Sequence, residues 1–465
     1  MRRPPSLWLF VLVLSVACDG PRGTDAGPGN DAGLGNDAGV PAAVFIRDDE
    51  GGAIVLRGTN IENSSKWSAD RLPTNYVTAD DFEPLVTQLG FNAVRFLVFW
   101  EAIEPERGVY DDAYLAEVRA RVEAAGAAGL HVIVDMHQDV FGRGFGNDGA
   151  PRWACDEALY ESFTPPDEWF LGYFEPEVAE CFDRLWLDAD TRGAYASAWG
   201  RVAQELAGAD GLLAYELMNE PFWGTSTVRT FEREIAPAAY AEWTDAIRAS
   251  DPDTWVMMGP ASAANIGLNS FLVPPDRPRL IYGPHLYPPS LERGLGWTGS
   301  HEDVLELSGT IVQDALRMGL PVVVGETGAR DNVDGALEFL DQAYDAFDAD
   351  RLGATQWEGG RGMDGSYAVF DESGAPSVIG RAIARPHPSR TAGDPIAWSW
   401  DGRTFRFEWS EGGSASGETV VTLPAVSFPA GVDATLEDGG QVRVEGARAL
   451  VPRVGGTRVL TLVAR

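Results

Sequence analysis

Positive charge is scarce in this chain. Its 465 residues carry 36 Lys and Arg against 70 Asp and Glu, a formal net charge of −34. So acidic a balance argues against nucleic acid, whose phosphates need a basic face, and against adhesion to anionic membranes by charge alone. The excess fits a soluble exported protein kept apart by self-repulsion. Histidine is rare too. The five, at positions 131, 137, 285, 301 and 387, include no His-x-His and no His-Glu-x-x-His. A metal centre is therefore not expected, and no cofactor is called for. A Gly-x-Ser-x-Gly elbow is missing, which argues against acyl transfer by serine. The nearest serine-rich stretch, Glu411 to Gly417, reads as a turn. No Gly-x-Gly-x-x-Gly follows the first strand, which disfavours a dinucleotide-binding open sheet.

Cysteine is nearly absent: Cys18, Cys155 and Cys181 are all there is. The apolar run from Leu7 to Ala17 follows Met1-Arg-Arg and is too short to span a bilayer as a mature helix. Residues 1–18 read as a signal peptide. Its end, Ser15-Val-Ala-Cys18, is similar to a bacterial lipobox, with Ser15 where Leu is usual and Leu14 one place earlier. Cys18 is thus a candidate for lipidation and a membrane tether, with a plain secretory signal as the other reading. Either way the mature protein is expected to be secreted or lipid-anchored on the bacterial cell envelope. Outside the cytosol, Cys155 and Cys181 are expected to pair as a disulfide. Residues 19–41 repeat Asn-Asp-Ala-Gly and contain almost no large apolar side chain. They read as a disordered tether. The oligomeric state is left open.

From residue 42 to 385, strand-like and helix-like segments alternate. The first strands, Val44–Arg47 and Ile54–Gly58, flank Asp48-Asp-Glu-Gly-Gly52 as a hairpin. Eight strand-like runs are Ile54–Arg57, Asn92–Phe99, His131–Asp135, Leu212–Asn219, Trp255–Gly259, Leu280–His285, Val322–Gly325 and Ala354–Trp357. Helical spacing fills the gaps: Leu115, Val118, Val122 and Ala125 share a face, as do Val304, Leu307, Ile311, Ala315 and Met318. Asp111-Asp112 and Asp331 suit helix starts, and Gly129, Gly208 and Gly319 suit helix ends. This is the pattern of an α/β protein, a (β/α)8 TIM barrel. Residues 386–465 change texture to short alternating strands with Gly-rich turns, a small C-terminal all-β sandwich. A cap on the barrel is preferred for it over a sugar-binding module.

Polar side chains gather at the strand ends. Arg95 lies in Ala93-Val-Arg-Phe-Leu; Asp135 and His137 close the third run; Asn219 and Glu220 close the fourth. His285 and Tyr287 follow the sixth, Glu326 closes the seventh and Trp357 the eighth. Each alone has a structural explanation. Together at one barrel end they form a site. Two carboxylates facing a polar cleft suit glycosidic bond cleavage, with Glu220 as acid/base and Glu326 as nucleophile. Arg95 beneath Glu326 keeps the nucleophile charged, and Asn219 holds the sugar 2-OH.

The set Arg95, His137, Asn219-Glu220, His285, Tyr287, Glu326 and Trp357 resembles the signature of glycoside hydrolase family 5. Within that family, Asn92 to Pro105, Asp135-Met-His-Gln-Asp-Val-Phe141 and Gly146-Asn-Asp-Gly-Ala-Pro-Arg-Trp-Ala154 are similar to endoglycoceramidases and endogalactosylceramidases. The resemblance implies a retaining hydrolase that cuts between glycan and ceramide of glycosphingolipids. It implies that Lys66, Asp135, His137, Asn219, His285, Tyr287 and Trp357 bind substrate. A family 5 glucanase or mannanase and a non-catalytic sugar-binding barrel are the alternatives. The long segment from Met136 to Asp188 is rich in aromatics. It is either a self-packed excursion stapled by Cys155–Cys181 or an apolar wall for ceramide tails, which Trp100 and Trp223 would extend.

Overall fold

The computed structural model describes residues 44–363 and 365–465. The signal peptide, Cys18 and the tether of residues 19–41 lie outside the described residues. Among the described residues no helix is long and apolar enough to cross a membrane.

Eight parallel strands close into a barrel. We number them β1 Arg57–Ile61, β2 Ala93–Val98, β3 His131–Met136, β4 Leu212–Glu216, β5 Trp255–Met258, β6 Leu280–Tyr282 continued at His285–Leu286, β7 Val323–Thr327 and β8 Gly353–Gln356. Each pairs in parallel with its neighbour, and β8 returns to β1 through Ala354↔Arg57. Closure runs through the broken sixth strand. Leu280–Tyr282 pairs with β5, and His285 pairs with Glu326 of β7. Ala93, Ile133, Ala214, Met257, Ile281 and Val323 fill the barrel interior, while the alternate residues pack outward on the helices. The helices start and stop where local chemistry requires. Asp111 accepts from Tyr114 N–H to open Asp112–Ala127. Ser300 and Asp303 form a capping box for His301–Met318, which ends at Gly319 in the left-handed region.

Two expectations need correction. Ile54 does not begin a barrel strand. It pairs antiparallel with Ile46 and with Arg390, so the hairpin 46–54 joins the C-terminal sheet rather than the barrel. The barrel begins at Arg57, and the hairpin's Ile46 and Ile54 plug its lower mouth. Asp331 does not start a helix, because Ala336–Asp350 is entered through Gly335 at φ 76.

The C-terminal sandwich has a six-stranded sheet, which includes the N-terminal hairpin, and a four-stranded one. Its core is Trp398, Phe405, Phe407, Trp409, Leu460 and Leu462 with their neighbours. It docks on the N-terminal ends of the barrel strands. Trp398 Nε1 donates to Asp348 at 2.8 Å, and His387 Nε2 lies 3.3 Å from Asn92 Oδ1. Burial holds His387 far below its ordinary range, to about 3, so it stays neutral in this seam. The sandwich therefore covers the end of the barrel opposite the strand tips.

Candidate active site

Arg95 is the centre of the site. Alternation along β2 points it inward with Ala93, and it is fully buried. Its guanidinium meets three carboxylates. Nε and Nη2 bind Glu216 at 2.6 and 3.0 Å, Nη1 binds Glu326 at 2.6 Å, and Nη2 lies 3.0 Å from Asp135. It also donates to Asn60 Oδ1 and Asn219 Oδ1, both at 2.9 Å. A planar five-donor fork is the side chain suited to hold so many acceptors.

Glu326 owes its direction to an irregularity. Val323 points inward, so simple alternation would send Glu326 outward. The register shift between Val324 and Thr327 turns it to the barrel axis. Gly325 makes room, since a Cβ there would lie 3.0 Å from His285 Nε2. Tyr287 Oη donates to Glu326 Oε2 at 2.9 Å. Burial alone would raise the Glu326 carboxyl, but His285, Arg95 and Lys66 outweigh it and hold it below the ordinary range.

Glu220 lies beyond β4, which ends at Glu216 rather than Asn219. Its φ of 41 is in the left-handed region, a conformation costing on the order of 1–3 kcal/mol for a non-glycine residue. Gln138 Nε2 donates to the carbonyls of Asn219 and Glu220 at 3.0 and 3.2 Å and helps hold this turn. Glu220 Oε1 accepts from His285 Nδ1 at 3.0 Å and from Asn265 Nδ2 at 2.7 Å. Oxygens of Glu220 and Glu326 and a ring nitrogen of His285 all lie within 4.8 Å of one another.

The remaining expected residues line one wall. Lys66 Nζ binds Asp139 Oδ2 at 2.6 Å and lies 4.4 Å from the centroid of the Trp357 ring. Burial would lower Lys66, but Asp139, Asp148 and Glu326 prevail and keep it above its ordinary value. Trp357 stacks on His137 with ring centroids 5.8 Å apart. His137 Nδ1 faces Asp135 at 2.7 Å. Burial, Lys66, Arg95 and His285 hold His137 well below its usual range, so it is neutral and Nε2 is left as an acceptor. Asn219 Nδ2 donates to the Gln138 carbonyl at 3.0 Å.

Asp135 is fully buried, with its oxygens turned to Arg95 and His137, and it orients those residues. Trp100 is also buried, with Nε1 donating to Glu104, and extends no surface. Sequence reasoning missed Glu216, Asn60, Gln138, Asp139 and Asn265. A charged residue inside Leu-Leu-Ala-Tyr-Glu-Leu was a usable signal for Glu216. The chain's single lysine, Lys66, was another clue that its place is special. Asn265 carried no such signal.

The long excursion after β3 is closed by the Cys155–Cys181 disulfide. Its inner aromatics pack on one another: Phe145 on Tyr160 and Phe163, Tyr173 on Phe182 and Phe222. Trp169 and Phe174 remain exposed, and Phe174 packs edge-on against Phe222 and Trp223 just past Glu220.

A closed barrel with two carboxylates at its strand tips, one held ionised from beneath, is the framework of a retaining glycoside hydrolase. The comparisons specify which. Residues 48–361 match the family model Cellulase (glycosyl hydrolase family 5), and residues 385–457 match the glycoside hydrolase family 5 C-terminal domain. The chain belongs to glycosyl hydrolase family 5. It is 29% identical over 443 residues to endoglycoceramidase I of Rhodococcus hoagii (strain 103S), covering 90% of this chain and 84% of that protein. It is 26% identical to endoglycoceramidase of Cyanea nozakii over 70% of this chain and 71% of that one. Among solved structures, endo-glycoceramidase II from Rhodococcus sp. in its ganglioside GM3 complex superposes with TM-score 0.83 at 29% identity, covering 91% of this chain and all 100% of that one. The lactosyl-enzyme intermediate of the same protein gives 0.81 at 30% identity, with the same coverage.

Proposed function

We propose that this protein is a retaining endo-β-glycosidase that cleaves the bond between glycan and ceramide in glycosphingolipids and releases both parts intact. The observation that carries the reading is the Glu220–Glu326 pair with exposed aromatic surface beside Glu220. Glu326, held ionised, attacks the anomeric carbon from one face. Glu220 protonates the departing oxygen and then takes a proton from water as the glycosyl-enzyme is hydrolysed. Lys66, Asp139, His137, Asn219 and Trp357 form the polar wall for the first sugar. Exposed Phe174, which packs on buried Phe222, and half-buried Trp223 sit on the leaving-group side, where an apolar aglycone would lie. The disulfide supports export from the cytosol.

The test is incubation with lactosyl- and galactosyl-ceramide, with mass detection of free ceramide and intact glycan. Glu326→Gln and Glu220→Gln should each cut turnover by several orders of magnitude with the fold kept. Release of monosaccharide alone, or preferential hydrolysis of a β-glucan or mannan, would replace this reading with an exo-acting or polysaccharide-cleaving one.

A further inference from the structure

We infer that Asn265 is a positioning residue that decides which oxygen of Glu220 carries the transferred proton. This rests on the reading of Glu220 as acid/base. Asn265 belongs to the turn Ser262–Ile266 that follows β5, and it is held firmly there. Its carbonyl accepts from Tyr287 N–H at 2.9 Å, Ser262 N–H donates to the Pro221 carbonyl at 3.0 Å, and Ala261 N–H donates to buried Glu232 at 2.8 Å. The turn thus bridges the segments that carry Glu220 and Tyr287. From it, the Asn265 amide donates to Glu220 Oε1 at 2.7 Å. His285 Nδ1 lies between two carboxylates, 3.0 Å from Glu220 Oε1 and 3.7 Å from Glu326 Oε2, and so acts as a donor.

Two donors converge on Oε1, which leaves no place there for a proton. The proton resides on Oε2. In the first half-reaction Oε2–H passes its proton to the glycosidic oxygen as the C1–O bond breaks and the Glu326–C1 bond forms. The negative charge left on Glu220 falls on a carboxylate already hydrogen-bonded by Asn265 and His285. In the second half-reaction Oε2 takes a proton from the attacking water as the Glu326–C1 bond breaks. Asn265 matters most where the leaving group depends on that proton, as an alkyl alcohol such as ceramide does. The titratable groups facing Glu220 are His285 and Tyr287 from β6 and its loop, Glu326 on β7, Tyr173 in the long excursion and Glu292 in the short helix Pro289–Glu292.

The experiment compares Asn265→Ala and the isosteric Asn265→Asp with wild type on an alkyl β-lactoside and a dinitrophenyl β-lactoside. Loss of one hydrogen bond to a charged group should lower kcat/KM on the alkyl substrate roughly 10- to 100-fold. The loss on the aryl substrate should be smaller by about tenfold, since that leaving group needs little protonation. The alkaline limb of the kcat/KM profile should move to higher pH in both variants. Equal losses on the two substrates with an unmoved alkaline limb would reduce Asn265 to a packing role and overturn the inference. Glu220→Ala is measured on the same pair. If it shows no leaving-group dependence, the acid/base reading of Glu220 itself fails; if it does while the Asn265 variants do not, only this inference falls.

Discussion

Replacement of Arg95 by Lys keeps the charge and removes the geometry. Arg95 makes five side-chain hydrogen bonds, to Glu216 twice, Asn60, Asn219 and Glu326, and a further contact to Asp135. An ammonium has three donors on one atom, so at least two bonds go unmade. At about 1.5–3 kcal/mol for each charged bond, the loss is about 3–6 kcal/mol. That is a large share of the roughly 5–15 kcal/mol that holds a domain folded. The functional effect has a direction. The depressed Glu326 contributes stability that is present above its ordinary value of 4.5 and is lost as pH falls through its lower folded value. Weakening its tie to Arg95 raises that folded value, so the acid limb of kcat/KM should move to higher pH. The deficit of Arg95→Lys against wild type should therefore shrink as pH rises from 5 to 8. Denaturant melts give the stability term, and pH–rate profiles on an aryl β-lactoside give the catalytic one. A deficit that is constant with pH would refute the claim that Arg95 works by keeping Glu326 ionised.

Two other changes test the surroundings. Glu358, next to Trp357, is pushed up from 4.5 to about 7, by burial first, against the bond it accepts from Asn63 N–H. A raised acid costs nothing below 4.5 and the full penalty above 7, so Glu358→Gln should leave stability unchanged at pH 4. Above pH 7 it should add up to about 3 kcal/mol, measured by denaturant melts. The Cys155–Cys181 bond joins residues 26 apart, and loop-closure entropy for that length is worth about 3.5 kcal/mol. The double Cys→Ala variant should unfold that much more readily, and thiol titration of the wild-type protein should find the pair oxidised.

Much of the fold was legible because barrel strands are buried on both faces. Runs such as Ala93-Val-Arg-Phe-Leu-Val98 and His131-Val-Ile-Val-Asp-Met136 are too apolar for anything but a covered strand, and their spacing leaves room for a helix between each pair. The first strand misled for a definite reason. Ile54-Val-Leu-Arg is as apolar as a barrel strand, but its apolar side chains belong to the plug and the seam with the sandwich. Antiparallel pairing to residues about 340 positions away leaves no local trace.

The site was legible in its residue types and less so in their placement. Period-2 alternation places Arg95, Asp135 and Glu216 on the barrel axis, all below the reaction plane, where they hold one another. The two carboxylates assigned to the chemistry lie where regular strand geometry stops. Glu326 turns inward through a register shift, and Glu220 reaches the cleft through a backbone at φ 41. Both are departures from regular strand geometry, and each is held by neighbours from other strands: Arg95 and Tyr287 for the one, Gln138, Asn265 and His285 for the other. A regular strand alternates its side chains and sends the next residue outward. Only Glu326 needs that alternation broken, by the register shift; Glu220 shares the parity of inward Ala214 and Glu216 but lies four residues past the strand's end, where the turn at φ 41 sets its direction. The irregularities are what convert a scaffold of inward-pointing charges into a pair of groups able to act on opposite sides of one bond.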